Sequence, residues 1–97
     1  MSDRKFEVTY GRAFLADVRR IPNEYQRKLA ELVEILGSDP FDSRLHTKPL
    51  SPPLQGMFSF RITRDWRVGF TFSTAQGIEL LVADRRDKIY QRLGRMR

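Results

Sequence analysis

The sequence predicts an α+β fold in which an N-terminal helical hairpin packs on one face of a small, mainly antiparallel four-stranded sheet, followed by a charged C-terminal segment. Three observations lead to this prediction. The 97 residues leave room for one core only, so we expect one domain over residues 1–97. Residues 12–37 show helical periodicity, and residues 57–83 alternate between polar and apolar side chains.

The N-terminal part contains one strand and two helices. Residues 5–10 alternate with a period of two and predict a short strand, which Gly11 ends. After it, four apolar residues fall on one face of a helix, namely Phe14, Leu15, Val18 and Ile21. Asn23 is a suitable N-cap for a second helix that runs to Leu36. Together the two helices form the predicted hairpin over residues 12–37.

Residues 38–55 hold four prolines and little periodicity, which predicts a long loop. Structureless loops of this length are uncommon in small domains and often carry functional residues. The loop includes Lys48. It also includes His46, the only histidine of the chain, which we interpret as an ordinary loop residue.

Three further strands complete the predicted sheet. Alternation places them at residues 57–63, 66–72 and 78–83. Because cross-strand partners share a face, we expect a three-residue turn between the first two, which sets Arg61 opposite Gly69 and Arg67 opposite Ala83. Residues 84–97 are strongly charged and show weak helical spacing.

The positive charge is concentrated in the second half of the chain. Residues 1–43 carry a net charge of −1 and residues 44–97 a net charge of +7, and 14 of the 18 basic residues are arginine. Arginine presents a planar set of donors that suits phosphate. We therefore expect a polyanionic partner, with nucleic acid as the first hypothesis. An arginine-rich solvated surface and a face that docks an acidic protein are the alternatives.

The predicted register brings five arginines to one end of the sheet, namely Arg61, Arg64, Arg67, Arg85 and Arg86. Their guanidinium groups repel one another, so a bound anion would stabilise the cluster. Gly69 would leave a shallow space through which a ligand backbone approaches. The alternative is that nearby acids neutralise the arginines in salt bridges, namely Asp65, Asp84 and Asp87.

Composition excludes several classes of site. The chain has no cysteine and a single histidine, which rules out a thiol nucleophile, a disulfide framework and a histidine-rich metal centre. It contains no glycine-rich phosphate loop and no apolar run long enough to cross a membrane. The N-terminal residues show no apolar leader, so we expect a soluble protein inside the cell.

The chemistry that remains depends on arginine and needs no metal. In RNA, the 2′-hydroxyl can attack the adjacent phosphate and release a 5′-hydroxyl, and arginines aimed at the phosphate stabilise the charge that develops. Tyr90 and Lys48 are the candidate bases. The alternatives are that Tyr90 is a packed aromatic residue and that Lys48 is a solvated lysine of the loop. Trp66 is either a core residue or a platform on which a base stacks.

The order of elements and several short motifs resemble the RelE/ParE superfamily of toxins from type II toxin–antitoxin systems, and in particular its RelE/YafQ-like branch of mRNA interferases. The resemblance extends over residues 5–93. The motifs that carry it are Asp39-Pro40-Phe41, Lys48-Pro49-Leu50, the run from Gly56 to Ile62, Asp65-Trp66-Arg67-Val68 and the run from Arg85 to Tyr90.

The resemblance implies a RelE-like fold and an endoribonuclease that cuts mRNA in the ribosomal A site, without a metal or small-molecule cofactor. By position, the catalytic residues would be Lys48, Arg61, Arg67, Arg86 and Tyr90. The residues that contact RNA would be Arg64, Asp65, Trp66, Arg85 and Lys88. The implied partners are a cognate antitoxin protein, mRNA and ribosomal RNA, with no membrane, and the implied location is the cytoplasm.

The chain departs from the YafQ-like pattern at three positions. It has Lys48, Arg61 and Arg86 where that branch has histidines, which favours a RelE-like mode in which lysine and arginine do the chemistry. The alternative is the ParE branch, which resembles this chain in fold but poisons DNA gyrase and is not a nuclease. The clustered basic residues together with Tyr90 favour the RNase.

Overall fold

The computed structural model describes residues 4–96, which form three helices and five strands. The helices are α1 (Arg12–Val18), α2 (Gln26–Ser38) and α3 (Arg86–Arg95). The strands are β1 (Glu7–Tyr10), β2 (Lys48–Pro49), β3 (Met57–Arg61), β4 (Trp66–Thr74) and β5 (Gly77–Arg85). The predicted α+β class is confirmed. None of these helices has the length and apolar character needed to span a bilayer.

The sheet is mixed and, over the described residues, has five strands in the order β1-β5-β4-β3-β2. β1 runs parallel to β5, and the other neighbours are antiparallel. The predicted four-stranded sheet is therefore wrong. The additional strand is β2, which lies inside the segment predicted to be a loop and whose two residues are too few for alternation to be visible.

The register between β3 and β4 also differs from the prediction. Arg61 pairs with Arg67 instead of Gly69, because the turn is longer than three residues and closes where the Ile62 amide donates to the Trp66 carbonyl at 2.9 Å. The shift is an even number of residues, so every side chain of β3 and β4 keeps the face that alternation assigned to it.

A β-bulge in β5 makes the second difference. Leu81 has no partner in β4, since Gly69 pairs with Val82 and the next pair along the strand skips one residue of β5. Beyond the bulge the pairing moves by one residue. Arg67 consequently lies opposite Asp84 rather than Ala83.

The predicted N-terminal helical hairpin is wrong as well. α1 ends at Val18, where the side-chain amide of Gln26 donates hydrogen bonds to the carbonyls of Val18 (2.8 Å) and Ile21 (3.0 Å). α1 packs along β5 and buries Phe14, whereas α2 packs against β1. The two helices therefore contact different parts of the sheet, and Leu15, predicted to face the core, is 54% exposed.

The two faces of the sheet carry separate apolar cores. The main core lies on the α2 face and includes the fully buried Phe60, Phe70 and Leu80. The second core lies under α3, where Ile89 and Leu93 pack with Leu50, Leu54, Leu81 and Val82. The charged C-terminal segment of the prediction is thus a helix held on the sheet by its apolar side.

Candidate functional site

Arg61 and Arg67 form a cross-strand pair at adjoining ends of β3 and β4. Arg67 is only 8% exposed, and Arg61 is half-buried. The Nε atoms of both guanidinium groups are buried and have no hydrogen-bond partner among the described residues. A buried donor without an acceptor is unfavourable. The pair is therefore a place where an acceptor atom of a ligand would be stabilised.

The electrostatics of Arg67 point to an anion. Burial lowers the pKa of Arg67, and repulsion from Arg61 and Arg86 lowers it further, while Tyr90 acts in the opposite direction. The one hydrogen bond of its side chain within the described residues is a long contact, 3.5 Å, from Nη2 to the carbonyl of Arg64. Three guanidinium groups thus meet at one point, and a phosphate would relieve both their repulsion and their desolvation.

α3 brings the C-terminal candidates to this pair. Its first residue, Arg86, donates its amide hydrogen to the Asp65 carbonyl at 2.8 Å, which ties the helix to the turn between β3 and β4. Tyr90 lies one helical turn later on the same side as Arg86. The sequence therefore predicted the meeting of Arg61, Arg67, Arg86 and Tyr90, although through a wrong register.

Gly69 has a different role from the one predicted. From the sequence we expected a ligand in the space above Gly69, but α3 fills that space. A Cβ atom on Gly69 would lie 2.8 Å from Cδ1 of Leu93. The glycine allows close approach of the helix to the sheet, and this approach sets the depth at which Arg86 and Tyr90 stand above the arginine pair.

Lys48 joins the site from β2. Its Nζ atom lies 5.6 Å from the centroid of the Tyr90 ring, a distance at which a cation and an aromatic face attract each other. Beside the two residues is an open cavity of about 250 Å³, whose other walls are Pro49, Leu50, Ser51 and Leu54. The structure thus brings together all five residues predicted to be catalytic.

The residues predicted to bind RNA are more dispersed. Arg64 and Asp65 are exposed in the turn that borders the arginine pair, and Lys88 is exposed on α3. Trp66 is half-buried against the main core, on the opposite face of the sheet. Arg85 is its cross-strand partner and shares that face. The structure does not bring Trp66 and Arg85 to the arginine pair.

The predicted alternative, neutralisation by nearby acids, is not seen in residues 4–96. Asp84 forms its ion pair with Arg92 at 3.0 Å, and neither Asp65 nor Asp87 pairs with an arginine of the cluster. In the same part of the chain, no three histidine, cysteine, aspartate or glutamate side chains are grouped so that they could hold a metal ion.

Two residues beside the site, Asp17 and Arg92, were not predicted from the sequence. Asp17 is buried, and its Oδ2 atom accepts hydrogen bonds from Arg92 at 2.9 Å and from the Ala83 amide at 3.0 Å. Partial burial lowers the pKa of Arg92, but the hydrogen bonds to Asp17 and Asp84 outweigh it and raise the pKa overall. The sequence did hold one signal, because Asp17 stands between Phe14 and Ile21 on the apolar side predicted for the first helix.

The chain matches no family profile and no curated protein sequence. Its structure is similar to a number of solved structures, among them three that are 14–20% identical in sequence. The YoeB/ParE toxin from Agrobacterium tumefaciens is 20% identical with a TM-score of 0.72, and the match covers 84% of this chain and 99% of that one.

The other two are complexes. The archaeal RelE–RelB complex from Pyrococcus horikoshii OT3 matches at 18% identity and a TM-score of 0.70, over 84% of this chain and 96% of that one. The E. coli DinJ–YafQ toxin–antitoxin complex matches at 14% identity and a TM-score of 0.72. This match covers 89% of this chain and 98% of that one. These matches show the fold: the chain folds like the YoeB/ParE, RelE and YafQ proteins in those structures.

Proposed function

We propose that this protein is the toxin of a type II toxin–antitoxin system and acts as an mRNA endoribonuclease. The observation that carries the proposal is the pair of buried Nε donors on Arg61 and Arg67, which have no acceptor among the described residues. Arg86 and Tyr90 stand beside them on α3. The fold supports the proposal, since the solved structures similar to it include a protein named as a toxin and a toxin–antitoxin complex.

The proposed reaction is an internal transfer of the phosphoryl group. The 2′-oxygen of a nucleotide attacks its 3′-phosphorus and forms a 2′,3′-cyclic phosphate, while the bond from phosphorus to the 5′-oxygen of the next nucleotide breaks. Arg61 and Arg86, with Arg67 behind them, stabilise the extra negative charge of the phosphorane. Tyr90 or the adjacent Lys48 takes the proton of the 2′-hydroxyl, and the 5′-oxygen leaves with a proton taken from water.

We propose two macromolecular partners. A cognate antitoxin protein neutralises the toxin, as the antitoxin in the DinJ–YafQ complex is bound to its toxin. The substrate is mRNA in the ribosomal A site, with ribosomal RNA as a further contact, and the protein acts in the cytoplasm without a metal or cofactor. The exposed arginines and lysine next to the site, Arg64 and Lys88, suit contacts with RNA backbones.

Primer extension on a cellular mRNA tests the proposal after brief induction of the protein. We expect new cuts in translated regions, in register with codons, and none with an Arg61→Ala/Arg86→Ala double variant. Arg44→Ala is the matched control, because Arg44 pairs with Asp42 on the surface of a short turn at 2.9 Å. Intact mRNA in arrested cells would contradict the nuclease and favour the ParE-like alternative, which accumulation of gyrase cleavage complexes would then test.

A further inference from the structure

Arg67 faces a carboxylate that it does not bind. Its cross-strand partner on β5 is Asp84, so the two side chains lie on the same face of the sheet with their Cβ atoms about 4.5–5.5 Å apart. Opposite charges in such a pair ordinarily attract each other. Here they form no ion pair, and the Nε donor of Arg67 has no partner among the described residues.

Both oxygens of Asp84 are engaged elsewhere. Oδ1 accepts the amide hydrogen of Arg85 at 2.7 Å, and Oδ2 accepts from Nη1 of Arg92 at 3.0 Å. Arg92 lies on α3, less than two helical turns after Arg86. The helix that supplies the candidate catalytic groups therefore also supplies the cation that holds Asp84.

Asp17 fixes Arg92 in this position. β1 pairs with β5 only as far as Leu80, and farther along β5 the Ala83 amide donates to Oδ2 of Asp17. The same oxygen accepts from Nη1 of Arg92 at 2.9 Å. Because Asp17 is only 3% exposed, it needs a cation beside it. The guanidinium group of Arg92 thus bridges two carboxylates on two different elements.

The position of Asp84 affects how tightly the arginine pair can bind an anion. A carboxylate that is free to turn toward Arg67 would form a charge-assisted hydrogen bond in a partly buried place, and a phosphate would have to displace it. Internal competition of this kind weakens a ligand by the free energy of the bond it must break. Keeping Asp84 occupied removes the competitor without removing the residue.

We propose that Arg92 is a positioning residue which keeps the anion site open by holding Asp84 away from Arg67. The inference rests on the proposed function for the nature of the anion, an RNA phosphate. It is distinct from a purely structural role, in which Arg92 would only fasten α3 to the sheet. The two roles differ in what they predict for a chain that lacks Arg92. Neutralising Asp84 in that chain restores anion binding if Arg92 keeps the site open, and does not restore it if Arg92 only fastens α3.

The test measures the affinity for a labelled 2′-O-methyl oligoribonucleotide, which cannot be cleaved, by fluorescence anisotropy. Arg92→Gln is expected to weaken binding about tenfold, the size of one lost charge-assisted phosphate contact. Arg44→Gln removes the same charge from an exposed ion pair and is expected to change binding less than about twofold. The Asp84→Asn/Arg92→Gln double variant is expected to return to within about twofold of the unchanged protein.

Stability separates the two roles. Both variants that lack Arg92 leave Asp17 buried without its cation, so both are expected to unfold at lower temperature than the unchanged protein. Recovery of binding in the double variant without recovery of stability supports the proposal. A double variant that binds as weakly as Arg92→Gln, or an Arg92→Gln variant that binds normally, overturns it.

Asp84→Asn alone gives a check that does not depend on the Arg92 variants folding. Because Arg92 already neutralises Asp84, this variant is expected to bind within about twofold of the unchanged protein, and a gain of fivefold or more would overturn the proposal. A different result would contradict the proposed function itself. In that case the unchanged protein would bind the oligonucleotide no better than an Arg61→Ala/Arg67→Ala variant.

Discussion

The two faces of the sheet differ in whether they bury charged side chains. On the α2 face the core is built from aliphatic and aromatic side chains, and the ring of Phe70 contacts those of Phe58, Phe60 and Phe72. On the α3 face a smaller apolar core borders Arg61 and Arg67, whose Nε donors are buried without a partner among the described residues. Both faces bury apolar side chains, but within residues 4–96 only the second also buries donors without an acceptor, which costs free energy of folding and suits the anion site that we propose.

The largest expected effect is on the α2 face. Phe70→Ala should lower the free energy of unfolding by about 3–5 kcal/mol, because the ring is fully buried and the cavity would be only partly refilled. This is a large part of the stability of a small domain. Denaturant unfolding followed by circular dichroism measures the loss. Phe41→Ala, at a ring that is 58% exposed, is the control, and equal losses in the two variants would contradict a difference between core and surface.

The sharpest test of the comparison is a substitution on the α3 face with effects of opposite sign. Arg67→Met removes a buried charge that has no anionic partner in residues 4–96, so the free energy of unfolding should stay unchanged or rise by about 1 kcal/mol. Cleavage of mRNA should fall on the order of 100-fold, because a donor to the phosphorane is lost. Unfolding and single-turnover cleavage are measured on one preparation. A marked loss of stability would show that Arg67 is an ordinary structural residue.

A smaller effect should follow from the close approach of α3 to the sheet. In Gly69→Ala the new methyl group would meet the buried side chain of Leu93, so we expect a loss of about 1–3 kcal/mol and slower cleavage as the helix moves outward. Gly94→Ala is the matched control on α3. Its Cβ would lie 3.9 Å from the nearest atom, of Leu54, and an alanine in a helix should stabilise it by about 0.5–1 kcal/mol. A Gly69→Ala variant as stable and active as Gly94→Ala would contradict this account of the glycine.

The smallest expected effect is on salt dependence. Affinity for RNA should fall as salt rises, and Arg61→Ala should reduce the slope of log affinity against log salt by about 1, as expected when one phosphate contact is removed. Arg44→Ala should leave the slope unchanged, since Arg44 is engaged with Asp42 at the surface. Titrations at several salt concentrations measure both slopes. Equal slopes for the two variants would show that Arg61 makes no phosphate contact.

The face of most strand residues could be predicted from the sequence, because alternation is a local property and survives an even shift in register. Val82 and Ala83 are exceptions, since the bulge at Leu81 interrupts the alternation and places each on the face opposite to the predicted one. The partners of Arg67 could not, since they depend on the length of the β3–β4 turn and on the bulge at Leu81. Alternation also could not reveal the two residues of β2.

The relation between the helices could not be predicted either. Periodicity identified α1 and α2, but it showed neither the contact of α1 with β5 nor the hydrogen bond from Gln26 to the Val18 carbonyl at the end of α1. The bridge from Arg92 to Asp17 spans 75 residues of chain, and no local pattern reports it. The meeting of Arg61, Arg67 and Arg86 was predictable because these residues stand at the ends of recognisable elements. Arg85, which was predicted to join them, lies on the opposite face with Trp66.

The most direct test of the central claim is single-turnover cleavage of an end-labelled mRNA on programmed ribosomes. We expect a 2′,3′-cyclic phosphate at the new end and no cleavage when the nucleotide before the cut carries 2′-deoxyribose. We also expect a reaction at least about 100-fold slower for Arg61→Ala/Arg86→Ala, the loss that follows when phosphorane donors are removed. Cleavage that persists with 2′-deoxyribose, or at an unchanged rate in the double variant, would contradict it.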